Sequence, residues 1–271
     1  MPTNATRLTA LIRYPLKSGR GEALSQAVVG VRGLEHDRRW MVVDPEGGFL
    51  TARTHPALLR VRVTAGDGGA LTLTTDDRSP CVVAPPDPGA AKVPVTVWGD
   101  ATWGVSLGAA AEAWISEHLE TPGRVVFMPD GVERPVSGEV ARADDLVSYA
   151  DGFPLLLANQ ASLDVLNAAV KPGVPMACFR PNLVVSGFDA FAEFGWSRVR
   201  VGAVELENGG PCVRCQVTTR DPMTGLRRAD GEPLRSLARD HQLDGKVVFG
   251  INLIPRTWGE IRVGDPVEIL A

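Results

Sequence analysis

Two cysteines, Cys212 and Cys215, form a Cys-x2-Cys pair in the run Pro-Cys-Val-Arg-Cys. Such a pair brings two thiols close enough to share a metal ion or to form a disulfide, and it is common in zinc, iron–sulfur and redox sites. Neighbouring cations favour a thiolate over a thiol, and nearby hydroxyl groups are suited to binding an anion. These neighbours are Arg214, Arg220, Thr218 and Thr219. The residues alone leave metal binding, redox chemistry and inert packing as alternatives.

The rest of the chain offers few partners for a structural zinc site, which needs four ligands. The other cysteines and the histidines lie singly along the sequence, at Cys81, Cys178, His36, His55, His118 and His241. Cys81 and Cys178 stand next to apolar residues, so we expect them to be small buried side chains. A thioredoxin-like pair would need a βαβ context, whereas the surroundings of Cys212 and Cys215 are strand-like.

Three further segments place cations or amides at the ends of apolar runs. Lys17 and Ser18 lie in a Gly- and Pro-containing loop that suits phosphate, although it is not a Walker sequence. Arg38 follows an acidic residue and precedes an apolar strand, and Arg180 and Asn182 precede another. A solvated turn and local ion pairs would also explain these segments. Their shared position at strand ends predicts one bound anion.

Composition excludes several classes of function. The chain has 271 residues and a net charge of −4, which does not indicate a nucleic-acid partner. No apolar run approaches the roughly 18–20 residues of a membrane-spanning helix. The N-terminus has no basic start followed by an apolar stretch, so it does not resemble a secretory signal. We therefore expect a cytoplasmic protein that uses no membrane and no nucleic acid.

Short alternating runs separated by Gly, Pro and Asp predict strands through residues 5–97. Residues 44–48 and 65–69 have the composition of hairpin turns, so this half resembles a small antiparallel barrel or sandwich. Residues 59–64 and 217–219 are among the segments that we expect to be strands.

Apolar residues at helical spacing predict helices at residues 109–119 and 161–170, with Ser162 as the cap of the second. A short helix is expected from Arg235 to Asp240. The proline-rich residues 85–94 predict an exposed loop.

The predicted fold class is therefore mainly β with α+β elements, arranged as two β-barrel-like domains. We place the first domain at residues 1–125 and the second at 126–271, because the turn-rich residues 121–145 lack periodicity.

Five separated motifs resemble one known family. They are Tyr-Pro-Leu-Lys-Ser, Asp-Arg-Arg-Trp-Met-Val-Val, Phe-Leu-Thr-Ala-Arg, Phe-Arg-Pro-Asn-Leu-Val-Val-Ser-Gly and Cys-Val-Arg-Cys-Gln-Val-Thr-Thr-Arg-Asp-Pro-Met-Thr-Gly. In this order they resemble the MOSC superfamily, and more narrowly the mitochondrial amidoxime-reducing components and their bacterial relatives. The resemblance covers nearly the whole chain, as an N-terminal MOSC β-barrel domain followed by a MOSC domain.

The resemblance implies a molybdenum cofactor, in which a pyranopterin holds molybdenum through two sulfurs and a protein cysteine completes the coordination. That catalytic and metal-binding cysteine maps to Cys215, and a soft thiolate suits such a metal. The implied cofactor-binding residues are Lys17, Ser18, Arg38, Asp151, Arg180, Asn182, Arg214 and Cys215. Phe153 and Val213 stand where relatives carry polar residues, so those two side-chain contacts are lost here.

The implied activity is the reduction of N-hydroxylated compounds such as amidoximes and hydroxylamines. The chain has no cluster of further cysteines after Cys215, so the electrons are expected from a separate ferredoxin, flavin reductase or cytochrome. The alternative is a molybdenum-cofactor carrier or sulfur-transfer module without turnover. A family association with pyridoxal phosphate is a further expectation.

Overall fold

The computed structural model describes residues 5–87 and 89–271. Residues 1–4, which belong to the N-terminal segment analysed above for a signal, lie outside the described residues, as does Pro88 of the proline-rich loop.

Strands dominate the described residues. In the first half they are β1 (Arg7–Arg13), β2 (Glu22–Leu24), β3 (Gln26–Gly30), β4 (Gly33–Leu34), β5 (Trp40–Val43), β6 (Arg62–Ala65), β7 (Leu71–Thr75), β8 (Arg78–Val83), β9 (Lys92–Val97), β10 (Asp100–Ser106) and β11 (Arg124–Phe127). In the second half they are β12 (Leu155–Asn159), β13 (Leu183–Ser186), β14 (Arg198–Val201), β15 (Val204–Val213), β16 (Gln242–Leu243), β17 (Lys246–Pro255), β18 (Gly259–Arg262) and β19 (Val267–Ile269). The predicted mainly β class is confirmed.

The largest sheet has the order β19-β14-β15-β17-β12-β13-β1-β2, with β16 added beside β17. Strands β5-β11-β10-β9 form a second sheet, and β18-β3-β4 and β6-β7-β8 form two smaller ones. Strands β1 and β2 therefore join a sheet built mostly from the second half, and β3 pairs with β18. The division at residues 125 and 126 stays a prediction, and these pairings connect the two sides of it.

Helices occur where the sequence predicts them, as α1 (Ala109–Leu119), α2 (Gln160–Ala169) and α3 (Leu234–Asp240). The predicted cap of α2 is wrong: Asn159 caps it by accepting a hydrogen bond from the Ala161 N–H at 3.1 Å. Ser162 lies inside the first turn, fully buried, and its hydroxyl donates to Glu193 at 2.9 Å. No helix in the described part of the chain is long and apolar enough to cross a bilayer.

One predicted strand begins later than expected, and another is a short helical turn instead. Residues Pro56–Arg60 form a 3-10 turn, so the strand expected at 59–64 begins only at Arg62. Pro56 stands in the first turn, where its fixed φ suits a helix, and Leu58 and Leu59 are buried beneath it. Residues Gln216–Thr219 also form a 3-10 turn. This turn begins immediately after Cys215, which therefore lies between strand β15 and the turn.

Separate apolar clusters support the sheets. One lies on the largest sheet and includes Leu157, Leu183 and Ile251, and another packs α1 against Trp40 and its neighbours. A third joins α2 and α3 to Phe179 and Phe249, whose rings stack at 3.9 Å between centroids. Loops link these sheets: in the loop after β1, the Lys17 N–H donates to the Trp40 carbonyl at 2.8 Å, at the start of β5. These loops carry the candidate site.

Candidate functional site

One cleft of about 180 Å³ is lined by all eight cofactor-binding residues that the family resemblance implies. They are Lys17, Ser18, Arg38, Asp151, Arg180, Asn182, Arg214 and Cys215. They come from four separate loops, which lie after β1, before β5, before β13 and after β15, and from the segment before β12. The structure therefore brings these residues to one cleft, while the shared ligand and the role of each residue stay predictions.

Lys17 is a buried cation with two protein partners. Its ammonium group donates to the Tyr149 carbonyl at 2.7 Å and to Asp151 Oδ1 at 2.6 Å. Burial lowers the pKa of Lys17, and the Asp151 carboxylate opposes that shift. Desolvation alone would raise the pKa of Asp151, but Lys17 and the Trp98 N–H outweigh it and hold that pKa below its usual value. Asp151 is therefore a carboxylate at neutral pH, and it lies 2.6 Å from the Lys17 ammonium nitrogen.

Arg38 and Arg180 stack on the same aromatic ring. Their guanidinium carbons lie 4.4 and 4.3 Å from the centroid of Tyr14. Arg38 pairs with Asp37 and donates to Asn182 Oδ1 at 3.0 Å, whereas Arg180 donates to the Gly19 carbonyl at 2.6 Å. Burial lowers the pKa of Arg180 to about 10, so it keeps its charge at neutral pH. The ion pair expected for Arg38 is present. Arg180 was expected to pair with a carboxylate, but its partner is the Gly19 carbonyl.

Asn182 positions other groups, and all the polar atoms of its side chain have protein partners. Its amide donates to the Ile12 carbonyl at 3.1 Å, and its oxygen accepts from Leu156 N–H at 3.2 Å as well as from Arg38. Ser18 Oγ accepts from the Ala52 N–H at 3.0 Å, and its hydroxyl hydrogen remains available. Asn182 therefore fixes Arg38 and the start of β12.

Three of these residues have a left-handed backbone, which is uncommon for side chains other than glycine. Their φ values are +65° at Ser18, +49° at Arg38 and +56° at Arg180. Such conformations cost of order 1–3 kcal/mol each and concentrate at functional sites, where surrounding structure maintains them. The three residues belong to separate loops and line one cleft.

The three cysteines that line the cleft differ in their surroundings. Cys178 is buried, and desolvation raises the pKa of its thiol to about 12, so it is a neutral thiol at physiological pH. Cys212 Sγ accepts a hydrogen bond from Arg214 at 2.9 Å. Cys215 is half-buried, and its sulfur has no hydrogen-bond partner among residues 5–87 and 89–271. Cys215 is thus the cleft thiol with no competing bond in the described chain.

Some expectations about the cysteine loop are wrong. Thr218 and Thr219 are buried, and their hydroxyls donate to the carbonyls of Cys215 and Gln216 at 2.8 and 2.7 Å. They shape the turn after Cys215 and do not face an anion. Arg220 donates to the Gly225 carbonyl at 3.0 Å. Cys81, which we expected to be buried, is only partly so, because it lies in the edge strand β8.

Sequence reasoning missed an aromatic group at the mouth of the cleft. Trp98 is 44% exposed and donates its indole N–H to Asp151 Oδ1 at 2.9 Å. Arg53 stacks on the Trp98 ring at 4.2 Å, and Phe49 meets it edge-on at 4.8 Å between centroids. Phe49 and Arg53 belong to the Phe-Leu-Thr-Ala-Arg motif, so the sequence did contain a signal for these two residues. Trp98 follows an ordinary strand, and nothing in its local sequence indicated this position.

The donor set of the cleft fits an anionic cofactor with a soft metal. Arg214 Nε is a buried donor without a hydrogen-bond partner among the described residues, and it lies in the cleft wall. Lys17, Arg38 and Arg180 add three more cations. For zinc the geometry is less suitable: no group of three or more His, Cys, Asp or Glu side chains in residues 5–87 and 89–271 is placed to hold a metal ion.

Comparison with known families matches both halves of the chain. The MOSC N-terminal beta barrel domain matches residues 5–122, and the MOSC domain matches residues 144–268. The chain is therefore built as a MOSC protein of the two-domain type, in agreement with the predicted barrel-like architecture.

Similar proteins extend the match to nearly full length. Mitochondrial amidoxime-reducing component 1 of Homo sapiens is 34% identical over 280 residues, covering 95% of this chain and 81% of the relative. Mitochondrial amidoxime reducing component 2 of Homo sapiens is 31% identical over 270 residues, covering 94% and 80%. The chain belongs to the family of MOSC-domain proteins that includes these amidoxime-reducing components.

Among solved structures, the YuaD protein from Bacillus subtilis aligns with 97% of this chain and 94% of its own, at 10% identity and a TM-score of 0.44. The names of these relatives do not mention pyridoxal phosphate, and that expectation is left without support.

Proposed function

We propose that this protein is a molybdenum-cofactor-dependent oxidoreductase that reduces N-hydroxylated compounds such as amidoximes and hydroxylamines. One observation carries the proposal: Cys215, a thiol without a hydrogen-bond partner among residues 5–87 and 89–271, opens into the same cleft as five cations. A soft thiolate suits a metal held by sulfur, and cations suit the phosphate of a pterin. Amidoxime-reducing relatives at 31–34% identity over most of the chain support the same role.

Each part of the cleft has a distinct task in this proposal. Cys215 would ligate the metal, and Cys212 with Arg214 would shape the wall beside it. Lys17, Arg38 and Arg180 would neutralise the phosphate, and Asp151 would accept hydrogen bonds from pterin N–H groups. When bound, the cofactor supplies two-electron redox chemistry at the metal. The protein binds, orients and shields it.

The proposed reaction consumes two electrons and two protons. An amidoxime takes them up, its N–O bond breaks, the oxygen leaves as water and an amidine remains. The electrons come from a separate donor protein, a ferredoxin, flavin reductase or cytochrome, and the protons come from solvent. We place the protein in the cytoplasm as part of the proposal.

The test compares Cys215→Ser with Cys212→Ser in chains produced by cells that synthesise the cofactor. Molybdenum is measured by mass spectrometry, and benzamidoxime reduction is followed with a chemically reduced viologen as electron donor. We expect the wild type to bind molybdenum and turn over, Cys215→Ser to lose turnover, and Cys212→Ser to keep most of it. Equal loss in both variants would refute the assignment of Cys215. Bound molybdenum without turnover in the wild type would instead indicate a cofactor carrier or sulfur-transfer module.

A further inference from the structure

Arg53 differs from the other cations of the cleft because its guanidinium has no polar partner. Lys17, Arg38, Arg180 and Arg214 each donate at least one hydrogen bond to the protein. The guanidinium of Arg53 makes neither a hydrogen bond nor a salt bridge to any residue in 5–87 or 89–271. Its contact is the Trp98 ring, at 4.2 Å. The five N–H donors of this side chain are therefore available to a ligand.

Trp98 holds Arg53 in a fixed position. The indole is anchored on two sides, by its N–H bond to Asp151 at 2.9 Å and by the edge-on contact with Phe49 at 4.8 Å. The backbone of Trp98 is left-handed, with a φ of +52°, at the turn between β9 and β10. A guanidinium stacked on such a ring loses little further conformational entropy when it binds a ligand. The pair is thus preorganised.

The position of the pair indicates a substrate and not the cofactor phosphate. The side chains of Lys17 and Arg38 are only 5% and 13% exposed, so they form the closed end of the cleft. Trp98 is 44% exposed and Arg53 half-buried, so they form its mouth. A cofactor whose phosphate is bound by Lys17 and Arg38 leaves the mouth of the cleft open to the substrate, which enters after it.

We propose that Arg53 and Trp98 select aromatic N-hydroxylated substrates that carry a carboxylate. This inference rests on the proposed function and specifies its substrate class. The planar guanidinium matches a carboxylate in a two-point hydrogen bond, and the exposed part of the indole ring packs against an aromatic substrate. The cleft lining carries five cationic side chains and one carboxylate, which favours an anion although the whole chain has a net charge of −4.

The kinetic experiment compares benzamidoxime with 4-carboxybenzamidoxime in the molybdenum-loaded wild type, Arg53→Gln and Arg53→Lys. A charge-assisted hydrogen bond of about 1.4 kcal/mol corresponds to a roughly tenfold lower KM for the carboxylated substrate in the wild type. Arg53→Gln is expected to abolish this preference while KM and kcat for benzamidoxime stay within about twofold. Arg53→Lys restores part of the preference, because it keeps the charge and loses the fork. Arg60→Gln, at a surface arginine paired with Asp77, is the matched control and keeps the preference.

A wild type without preference for the carboxylated substrate overturns the inference. So does an Arg53→Gln variant that loses molybdenum and slows both substrates equally, since Arg53 would then belong to the cofactor site. Calorimetric titration of the same chains with both compounds separates this inference from the proposed function. If no chain reduces either compound, the proposed function fails, and tighter binding of 4-carboxybenzamidoxime that depends on Arg53 still supports the site. Equal affinity for both compounds overturns it.

Discussion

Replacing Arg134 by methionine should destabilise the protein strongly and loosen the segment that carries Asp151. The buried guanidinium donates to the carbonyls of Ser148, Ala150 and Asp151 at 2.9, 2.6 and 3.1 Å, and to Asp100 Oδ2 at 2.8 Å. Hydrogen bonds from a charged donor contribute about 1.5–3 kcal/mol each, but the buried guanidinium also has a dehydration cost. Because the Asp100 side chain is 56% exposed, its carboxylate returns to water. We expect a net loss of about 3 kcal/mol.

Urea unfolding followed by tryptophan fluorescence measures this loss, which should shift the midpoint by about 1 M or more. Arg262→Met is the matched control, since Arg262 pairs with Glu260 on the surface with side-chain exposures of 62% and 39%. Exposed pairs contribute little, so the control should stay within about 0.5 kcal/mol of the wild type. An Arg134→Met variant as stable as this control would refute the reasoning, because it would mean that the three carbonyls find other donors without cost.

Three further outcomes follow from the structure. Burial raises the pKa of Glu193, so its contribution to stability is lost as the pH rises from the ordinary carboxyl pKa through the raised one. Glu193→Gln should therefore become more stable relative to the wild type as the pH increases, as measured by urea titration. A difference in stability that does not change with pH would contradict this. Gly33→Ala should lower the free energy of unfolding by about 2–3 kcal/mol, because φ is +84° and a Cβ would lie 2.5 Å from the Pro154 carbonyl oxygen. The control Gly30→Ala should be nearly neutral, because its Cβ would meet no atom within 4 Å. Cys178 should resist iodoacetamide at pH 8 in the native chain, because it is buried and its pKa is raised to about 12, and it should react in urea. Peptide mass spectrometry measures the labelling. Labelling of the native chain would show that Cys178 is not packed as described.

The fold class and the helices were predictable because they depend on local patterns. Alternation and turn composition indicate strands, and apolar spacing indicates α1 at Ala109–Leu119. The errors occurred where side chains decide between two local structures. At Gln216–Thr219 the threonine hydroxyls bond to preceding carbonyls and stabilise a turn, although threonine favours strands by propensity.

The amino-acid sequence alone shows which chemically functional side chains the protein has. It placed thiols, cations and an amide at the ends of apolar runs, and the motif order identified Cys215, Lys17 and Arg180 as members of one set. That information is local, and the five motifs carry it without any knowledge of contacts.

Which of these side chains have protein hydrogen-bond partners depends on long-range contacts. Arg134 lies in a turn-rich segment without periodicity, yet its bonds to three carbonyls hold the segment before β12 in place. Arg53 and Trp98 are 45 positions apart in sequence and become a stacked pair at the mouth of the cleft. Hydrogen-bond satisfaction depends on neighbours brought together by β1, β12 and β13, so no local pattern reports it. For that reason the sequence could not show that the Arg53 guanidinium has no hydrogen-bond partner among the described residues, whereas the other four cations of the cleft each donate to the protein.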